Sequence, residues 1–221
     1  FAYVISSVGT VISSKIDAET AFKQKMMHVN QFLIYKNINK KLRMKIRRYL
    51  EYVLENKKEQ KIDESEVLGL LSKNLRDEVI LHLNGKLVQS LFVINRYDKF
   101  CILLTNIMRK DTYNPREIIF QAGDQSTAIY FITKGVVQIC DQQTKIVYKD
   151  LVVEEFFGEI GFFLKKPRIA SAETSTFVNV TIISLEQFEE AYQMYKDEEK
   201  EKFLGFEKEF FDYRKKLQIR D

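Results

Sequence analysis

The chain has 221 residues, of which 45% are hydrophobic and 30% are charged. This composition indicates a globular protein and excludes a disordered chain, and the length suits one large domain or two small ones. The net charge of +4 is unevenly distributed, because residues 1–95 carry 16 Lys and Arg against 10 Asp and Glu, whereas residues 96–221 carry 19 against 21. The first part of the chain is therefore basic and the second slightly acidic.

The first fourteen residues, FAYVISSVGTVISS, form an apolar stretch that is too short to span a bilayer. They do not make a complete signal peptide. Because the chain begins without Met, we interpret it as a fragment and this stretch as the end of a longer helix. An ordinary packed helix or strand is the alternative interpretation.

The following residues, up to about residue 91, are predicted to be helical. Apolar residues recur at spacings of three and four over residues 15–34 and 40–55, as expected of helices with one apolar face. A polar linker is predicted at 56–61, followed by a short helix that begins at Asp63 and another helix over 73–83. The first part of the chain is thus predicted to be all-helical.

A run of basic residues without acidic ones lies between Ile34 and Leu50. It has three interpretations: a solvated helix face or subunit salt bridges, contact with anionic lipid beneath a membrane, or nucleic-acid binding. No helix-turn-helix pattern, zinc spacing or aromatic RNA platform accompanies it, so nucleic acid is not an expected partner. The run comprises Lys36, Lys40, Lys41, Arg43, Lys45, Arg47 and Arg48.

The apolar period changes in the second part of the chain. A helix is predicted over 98–108, and from Asp111 onward short alternating segments between turn residues indicate strands. Eight or so strands in this space indicate a small β-roll. The clearest are predicted at residues 117–121, 128–134, 136–141, 146–151, 155–157, 170–173 and 178–184.

Two helices are predicted after the last strand. The first begins at Ser184, a favourable N-cap residue, and runs to about residue 195, and the second covers 197–218. A stripe on the second helix either docks on the roll and binds purine or pairs with another helix as a short coiled coil. The stripe consists of Phe203, Phe206, Phe210, Tyr213 and Leu217.

Residues 156–171, FFGEIGFFLKKPRIAS, combine groups that suit a phosphate and a sugar. Gly158 lets the backbone approach a ligand closely, and unpaired amides in the helical turn that follows favour an anion. A loop that folds back brings the planar, permanently charged fork of Arg168 to that anion. Glu159 accepts hydrogen bonds and suits a sugar hydroxyl.

The pattern Phe-Gly-Glu-Ile, followed about ten residues later by Arg-Ile-Ala-Ser, resembles the phosphate-binding segment of cyclic-nucleotide-binding domains. Residues 73–95, KNLRDEVILHLNGKLVQSLFVIN, resemble the end of the C-linker that precedes such domains in cyclic-nucleotide-gated and hyperpolarisation-activated channels. Voltage-gated potassium channels of the ether-à-go-go type share this architecture. The resemblance covers nearly all of the chain. It implies an α+β fold, an all-helical C-linker followed by a jelly-roll-like eight-stranded β-roll with flanking helices.

This resemblance implies three parts: the end of the last pore-lining helix at residues 1–14, the C-linker at 15–95, and the cyclic-nucleotide-binding domain at 96–221. In the family the C-linker forms a fourfold ring, so a homotetramer is expected. The implied function is the cytoplasmic regulatory region of a tetrameric cation channel, with potassium as the expected ion, which couples nucleotide binding to pore gating. The implied partners are the cyclic nucleotide and the membrane part of the channel, with anionic lipid as a further candidate.

The resemblance also implies a set of ligand-binding residues. Channels of the family often carry Thr after the arginine, where its hydroxyl helps to hold guanine. Ile169 offers no hydroxyl, so cAMP is the expected ligand over cGMP. The expected binding residues are Phe157, Gly158, Glu159, Ile160, Arg168, Ile169 and Ala170, with purine contacts from Phe210, Phe211 and Arg214.

No nucleophile–base arrangement, paired-carboxylate signature, Walker loop or metal cluster is evident in the sequence, so no enzyme activity, catalytic residue or metal is expected. Cys101 and Cys140 are expected to be buried free thiols. One alternative is a homologous domain that does not bind nucleotide and acts as a structural or interaction module of a voltage-gated potassium channel. Another is a soluble cAMP-dependent regulator, which the helical run before Asp98 does not fit.

Overall fold

The computed structural model describes residues 20, 22–59, 64–89, 91 and 97–220. The chain divides into two compact units, Phe1–Ile62 and Asp63–Asp221. The apolar stretch at 1–14 lies outside the described residues. The domain boundaries after residues 14 and 95 remain predictions, and the second of them falls within the second compact unit.

The described residues of the first unit form two helices joined by a tight turn. Helix α1 covers 22–35, and α2 covers Lys40–Glu59. The side-chain oxygen of Asn39 accepts a hydrogen bond from the amide of Leu42 at 2.8 Å, which satisfies one of the free N–H groups at the start of α2.

Two helices are longer than the sequence pattern predicted. The predicted linker at 56–61 is wrong for residues 56–59, which belong to α2, because these polar and charged residues are mostly good helix formers and contain no Gly or Pro. The helix predicted over 73–83 is α4, Lys73–Gln89. It continues through Gly85, which is buried, so packing outweighs the weak helix propensity of glycine there.

Three helices precede the roll in the second unit: α3 at Glu64–Leu70, α4, and α5 at Asp98–Ile107. Arg76 of α4 ties the end of α3, since its Nε donates to the carbonyl of Leu68 at 2.8 Å and its Nη2 to that of Leu71 at 3.2 Å. Among the described residues, no helix is both long enough and apolar enough to cross a bilayer.

The described residues contain eight strands in two antiparallel sheets, which confirms the predicted β-roll. The sheets have the strand orders β1-β8-β3-β6 and β2-β7-β4-β5. The strands are β1 Arg109–Tyr113, β2 Ile118–Phe120, β3 Ala128–Lys134, β4 Val137–Cys140, β5 Val147–Leu151, β6 Phe156–Phe157, β7 Ser171–Thr174 and β8 Val178–Ser184.

Alternation along the strands creates two cores. In β3, Ala128 and Ile132 belong to a cluster inside the roll, whereas Ile129 and Phe131 belong to a second cluster that includes residues of the helices. This division follows from the period of two of a strand, which places successive side chains on opposite faces. The first sheet is therefore covered on both faces.

Strand β5 is a free edge of the second sheet among the described residues. Its pairing with β4 is irregular between Ile139 and Cys140, opposite Lys149 and Val147. Tyr148 is 61% exposed, and Leu151 is the buried residue of the strand.

Three helices follow the strands of the roll in sequence or interrupt them: α6 at Glu159–Leu164, α7 at Leu185–Glu198 and α8 at Lys200–Arg220. The predicted stripe of α8 packs in the helical core, where Phe206 and Leu217 are at most 1% exposed and Phe206 lies 4.8 Å from Phe100 of α5 between ring centres. The stripe thus packs against the helices α5, α6 and α7 of the same domain, and its contact with a purine stays a prediction.

Candidate functional site

A cavity of about 260 Å³, here called the roll cavity, is lined by residues of β2, β4 and β5 and by both ends of the 156–171 segment. The structure brings together all seven binding residues expected from this segment, which are Phe157, Gly158, Glu159, Ile160, Arg168, Ile169 and Ala170. Sequence reasoning missed the lining residues Phe120, Ile139, Lys149 and Leu151. Only strand register could have indicated them, because they come from three separate strands.

Arg168 is a buried cation in the wall of this cavity, with 5% of its surface exposed. Its Nη1 donates to the carbonyl of Gly158 at 2.6 Å, and its Nη2 donates to the carbonyl of Ala128 at 2.5 Å. The guanidinium carbon lies 4.1 Å from the centre of the Phe120 ring, within the range of a cation–π contact. The Nε of Arg168 is buried and has no hydrogen-bond partner.

The charge of Arg168 is not matched by a bonded carboxylate. Its hydrogen bonds run to carbonyls, and among the described residues no acidic side chain forms an ion pair with it. Burial lowers the pKa of the Arg168 guanidinium below its ordinary value, while Tyr130, Glu159 and Asp124 act in the opposite direction. A buried guanidinium remains charged, and a buried charge is costly until it meets an anion. The site therefore favours a small anion.

Gly158 is required by two features of this arrangement. Its φ of +85° lies in the left-handed region, which glycine adopts without strain. A Cβ atom at this position would lie 2.5 Å from Nη1 and 3.2 Å from Cζ of Arg168. Any side chain here would displace the guanidinium.

Backbone hydrogen bonds hold Arg168 in place from a distant turn. The amide of Gly123 donates to the carbonyl of Arg168 at 2.8 Å, and the amide of Arg168 donates to the carbonyl of Asp124 at 2.8 Å. A third bond, from the amide of Lys166 to the carbonyl of Gly161 at 3.0 Å, ties the loop to α6. The folded-back loop expected from the sequence is thus observed.

Residues 110–195, which contain this site, match the family model of the cyclic nucleotide-binding domain. This part of the chain is a cyclic nucleotide-binding domain. The sequence of the chain is similar to those of hyperpolarization-activated and cyclic nucleotide-gated channels.

The chain is 26% identical over 196 residues to the potassium/sodium hyperpolarization-activated cyclic nucleotide-gated channel 4 of Homo sapiens, covering 88% of this chain and 16% of that protein. It is 26% identical over 196 residues to channel 2 of the same name from Mus musculus, covering 88% and 22%. A cyclic nucleotide-gated channel of Caenorhabditis elegans is 25% identical over 163 residues, covering 72% and 22%. The chain thus spans 16% to 22% of the length of these relatives.

The similarity extends beyond the nucleotide-binding domain. An alignment that covers 88% of the chain includes residues before residue 96 as well as the roll. The helical part therefore shares the resemblance to channels.

Glu159 and Ile169 lie at the two ends of the segment that frames the roll cavity. Glu159 is half-buried in the first turn of α6 and attracts the Arg168 guanidinium electrostatically. Ile169 is 58% exposed beside the cavity and presents an aliphatic surface without a hydroxyl.

The nucleotide-binding domain has a second cavity of about 610 Å³ between α6, α7 and α8, here called the helix cavity. The expected purine contacts Phe210 and Arg214 line this cavity and not the roll cavity. The ring of Phe210 packs against Phe163 at 5.5 Å between centres. Phe211 is 56% exposed with Lys215 over its ring. The structure thus does not bring these three residues to the other binding residues, and their contact with a purine remains a prediction.

Proposed function

We propose that this chain is the regulatory region of a cation channel, that it binds a cyclic nucleotide in the roll cavity, and that it couples this binding to the pore. The observation that carries the proposal is Arg168, a buried cation with an unused N–H group in the wall of a cavity inside a cyclic nucleotide-binding domain. The single negative charge of a cyclic phosphate matches it, because a charged hydrogen bond compensates a buried guanidinium.

The neighbouring residues suit the rest of such a ligand. The carboxylate of Glu159 accepts hydrogen bonds and suits the ribose hydroxyl. Phe157, Ile160 and Leu151 contribute apolar surface to the roll cavity, which suits the faces of a purine. The cavity volume is close to the lower end of the range of about 300–1,000 Å³ for small-molecule sites.

Within this proposal, cAMP is favoured over cGMP. The side chain that follows Arg168 is the aliphatic Ile169, which cannot donate a hydrogen bond to guanine. The loss of one such bond changes affinity by about 0.5–1.5 kcal/mol.

Gating would follow from a population shift. A ligand changes the balance of two states only by its difference in affinity for them.

The similarity to channels in both parts of the chain supports assembly as a homotetramer through the helical C-linker, with the remainder of the channel in the membrane. The seven basic residues between Ile34 and Leu50 lie in α2 and in the turn before it, and six of them are exposed. Anionic lipid is therefore a proposed further partner.

Calorimetric titration of the 221-residue chain with cAMP and cGMP tests the proposal. We expect binding of both, with cAMP tighter, and a loss of about ten- to a hundredfold in Arg168→Ala, on the scale of a hydrogen bond to a charged group. Because that variant also loses the bonds to Gly158 and Ala128, Arg168→Lys serves as a second variant that keeps the charge but not the fork. Arg109→Ala is the control, since Arg109 is exposed on β1 and outside the roll cavity.

Absence of heat with either nucleotide, in protein shown to be folded by circular dichroism, would contradict the proposal. The result would favour the alternative of a structural module that does not bind nucleotide. Equal losses in Arg168→Ala and Arg109→Ala would show that the roll cavity is not the binding site.

A further inference from the structure

The roll cavity contains a third charged residue that phosphate and ribose binding do not use. Its charged lining side chains are Glu159, Arg168 and Lys149, and the last of these lies on the edge strand β5. Lys149 is distant in sequence from the 156–171 segment, so its place in the cavity follows from the sheet alone.

A row of paired residues across the second sheet runs from Phe120, beside Arg168, to Lys149. Phe120 pairs with Ala172, Ala172 with Ile139, and Ile139 with Lys149. Directly opposite residues in an antiparallel pair share one face of the sheet. The row therefore begins at Phe120, where the Arg168 guanidinium is stacked, and ends at Lys149.

The length of this row indicates which part of a nucleotide would meet Lys149. Three strand spacings of about 4.8 Å separate Phe120 from Lys149, or about 14 Å between backbones. A phosphate held by Arg168 at one end leaves the base to extend along the row. The side chain at the far end would then face the base and not the phosphate.

The position of the Lys149 ammonium is set by one neighbour. Its Nζ donates to Oε1 of Glu155 at 2.7 Å, and Glu155 is itself fixed because its Oε2 accepts from the amide of Val152 at 2.8 Å. An ammonium has three donors and no acceptor, so donors remain beyond the bond to Glu155.

We infer that Lys149 contacts the edge of the bound purine that carries N7 and the substituent at C6, and favours cyclic nucleotides with a 6-keto group over those with a 6-amino group. The inference rests on the proposed nucleotide binding. Guanine presents two acceptors on this edge, O6 and N7, whereas adenine presents an acceptor at N7 and a donor at N6. A donor-only side chain matches both groups of guanine, but on adenine it matches N7 alone and meets a second donor at N6. Ile169 favours cAMP, whereas Lys149 favours cGMP. Lys149 thus reduces the difference in affinity between cAMP and cGMP.

Calorimetric titrations of the 221-residue chain with cAMP, cGMP and cIMP test this inference, since cIMP carries the 6-keto group without the 2-amino group of guanine. In Lys149→Met we expect affinity for cGMP and cIMP to fall about five- to tenfold, which allows for the exposure of the side chain, and affinity for cAMP to change less than about twofold. Lys149→Arg, which keeps donors at this position, should retain the wild-type ratios.

Lys165→Met is the matched control. Lys165 is exposed like Lys149 and forms an ion pair of the same length, 2.7 Å, with Glu189, but it does not line the roll cavity. Equal losses for all three nucleotides in Lys149→Met would overturn the inference, because they would show a general attraction to the phosphate. Unchanged affinities would also overturn it, as would binding of cAMP with no measurable binding of either 6-keto nucleotide. Absence of binding by every nucleotide to the wild-type chain would instead overturn the proposed function, and the inference with it.

Discussion

Gly158 and Arg168 constrain each other at the level of single atoms. Gly158→Ala should destabilise the folded chain, because alanine is strained at a φ of +85° and its Cβ would lie 2.5 Å from the Arg168 guanidinium. The left-handed conformation costs about 1–2 kcal/mol, and overpacking adds about 1–3 kcal/mol. Urea unfolding followed by circular dichroism measures the total, and nucleotide titration measures the accompanying loss of binding.

Gly123→Ala separates the two contributions. Gly123 has a φ of +90°, but a Cβ there would meet no atom within 4 Å. This variant should lose only the conformational part, about 1–2 kcal/mol. If both variants lose the same stability, the clash with Arg168 makes no contribution, and the tight packing of the guanidinium against Gly158 is contradicted.

The residues of the site that sequence could identify are those contiguous in the chain. Gly158, Glu159 and Arg168 lie within eleven positions, and a loop that folds back suffices to bring them together. Lys149 and Ile139 could not be identified, because their place in the roll cavity depends on the pairing register of β4 and β5. The sequence also could not indicate that Phe210 of the α8 stripe lines the helix cavity and not the roll cavity, because this depends on how α8 packs against α6 and α7.

At the scale of elements, α7 begins with a reciprocal pair of hydrogen bonds. The Ser184 hydroxyl accepts from the Gln187 amide at 3.2 Å, and the Gln187 side chain accepts from the Ser184 amide at 3.1 Å. Ser184→Ala should lower the free energy of unfolding by about 1 kcal/mol, measured by urea unfolding. Ser184→Thr, which keeps the hydroxyl, should lose much less, and an equal loss in both variants would show that the cap is not the cause.

The packing of α8 predicts a large difference between two phenylalanines on one helix. Phe206 is fully buried and Phe211 is 56% exposed. Phe206→Ala should cost about 3–5 kcal/mol, whereas Phe211→Ala should stay within about 0.5 kcal/mol. Thermal and urea unfolding of the two variants give the comparison. Similar losses would contradict the placement of α8 in the helical core.

Elements with strong alternation were predictable to the residue, and elements with weak signals were not. The strands at 128–134 and 178–184 have the predicted bounds, because their apolar residues fill two cores on opposite faces. The ends of α2 and α4 were predicted too early. The end of α2 is polar and cannot be distinguished from a linker by sequence, whereas α4 continues past Gly85 because that residue is buried.

At the scale of the whole molecule, one ion-pair group joins the helix before the roll to a helix after it. Lys99 of α5 lies 3.0 Å from Glu198 and 2.9 Å from Glu199, at the end of α7. Hydrogen bonds with Glu199 and Glu198 raise the pKa of Lys99, and the hydrogen bond from Lys99 lowers the pKa of Glu199. Lys99 and Glu198 are exposed and Glu199 is half-buried, so the stabilisation is small and sensitive to salt.

These shifts set the direction of a pH dependence. Because the pKa of Glu199 is lowered in the folded chain, its carboxylate stabilises the fold above the ordinary pKa of 4.5, and this stabilisation is lost as the pH falls below that value. Because the pKa of Lys99 is raised in the folded chain, its ammonium stabilises the fold below the ordinary pKa of 10.5, and this stabilisation is lost as the pH rises past that value. The stability difference between the wild type and Lys99→Met should therefore be constant from about pH 6 to 9 and shrink on either side, as measured by urea midpoints across pH.

Lys200→Met provides the control for this pH series, because Lys200 is an exposed lysine at the start of α8. The stability difference between the wild type and Lys200→Met should stay constant across the same pH range. A difference for Lys99→Met that persists unchanged at pH 3 would show that the ion-pair group does not stabilise the fold.

The free edge at β5 has a consequence for the behaviour of the protein in concentrated solution. An exposed edge strand is a template on which other chains add strands and aggregate, and lysine at an edge opposes this. The run from Ile146 to Val153 holds Lys149 and Asp150 as its only charges, and Ile146, Val147, Tyr148, Val152 and Val153 are all exposed. The irregular pairing opposite β4 further disrupts the template. Lys149 thus opposes the addition of further strands at this edge, and loss of its charge should lower the solubility of the protein at high concentration.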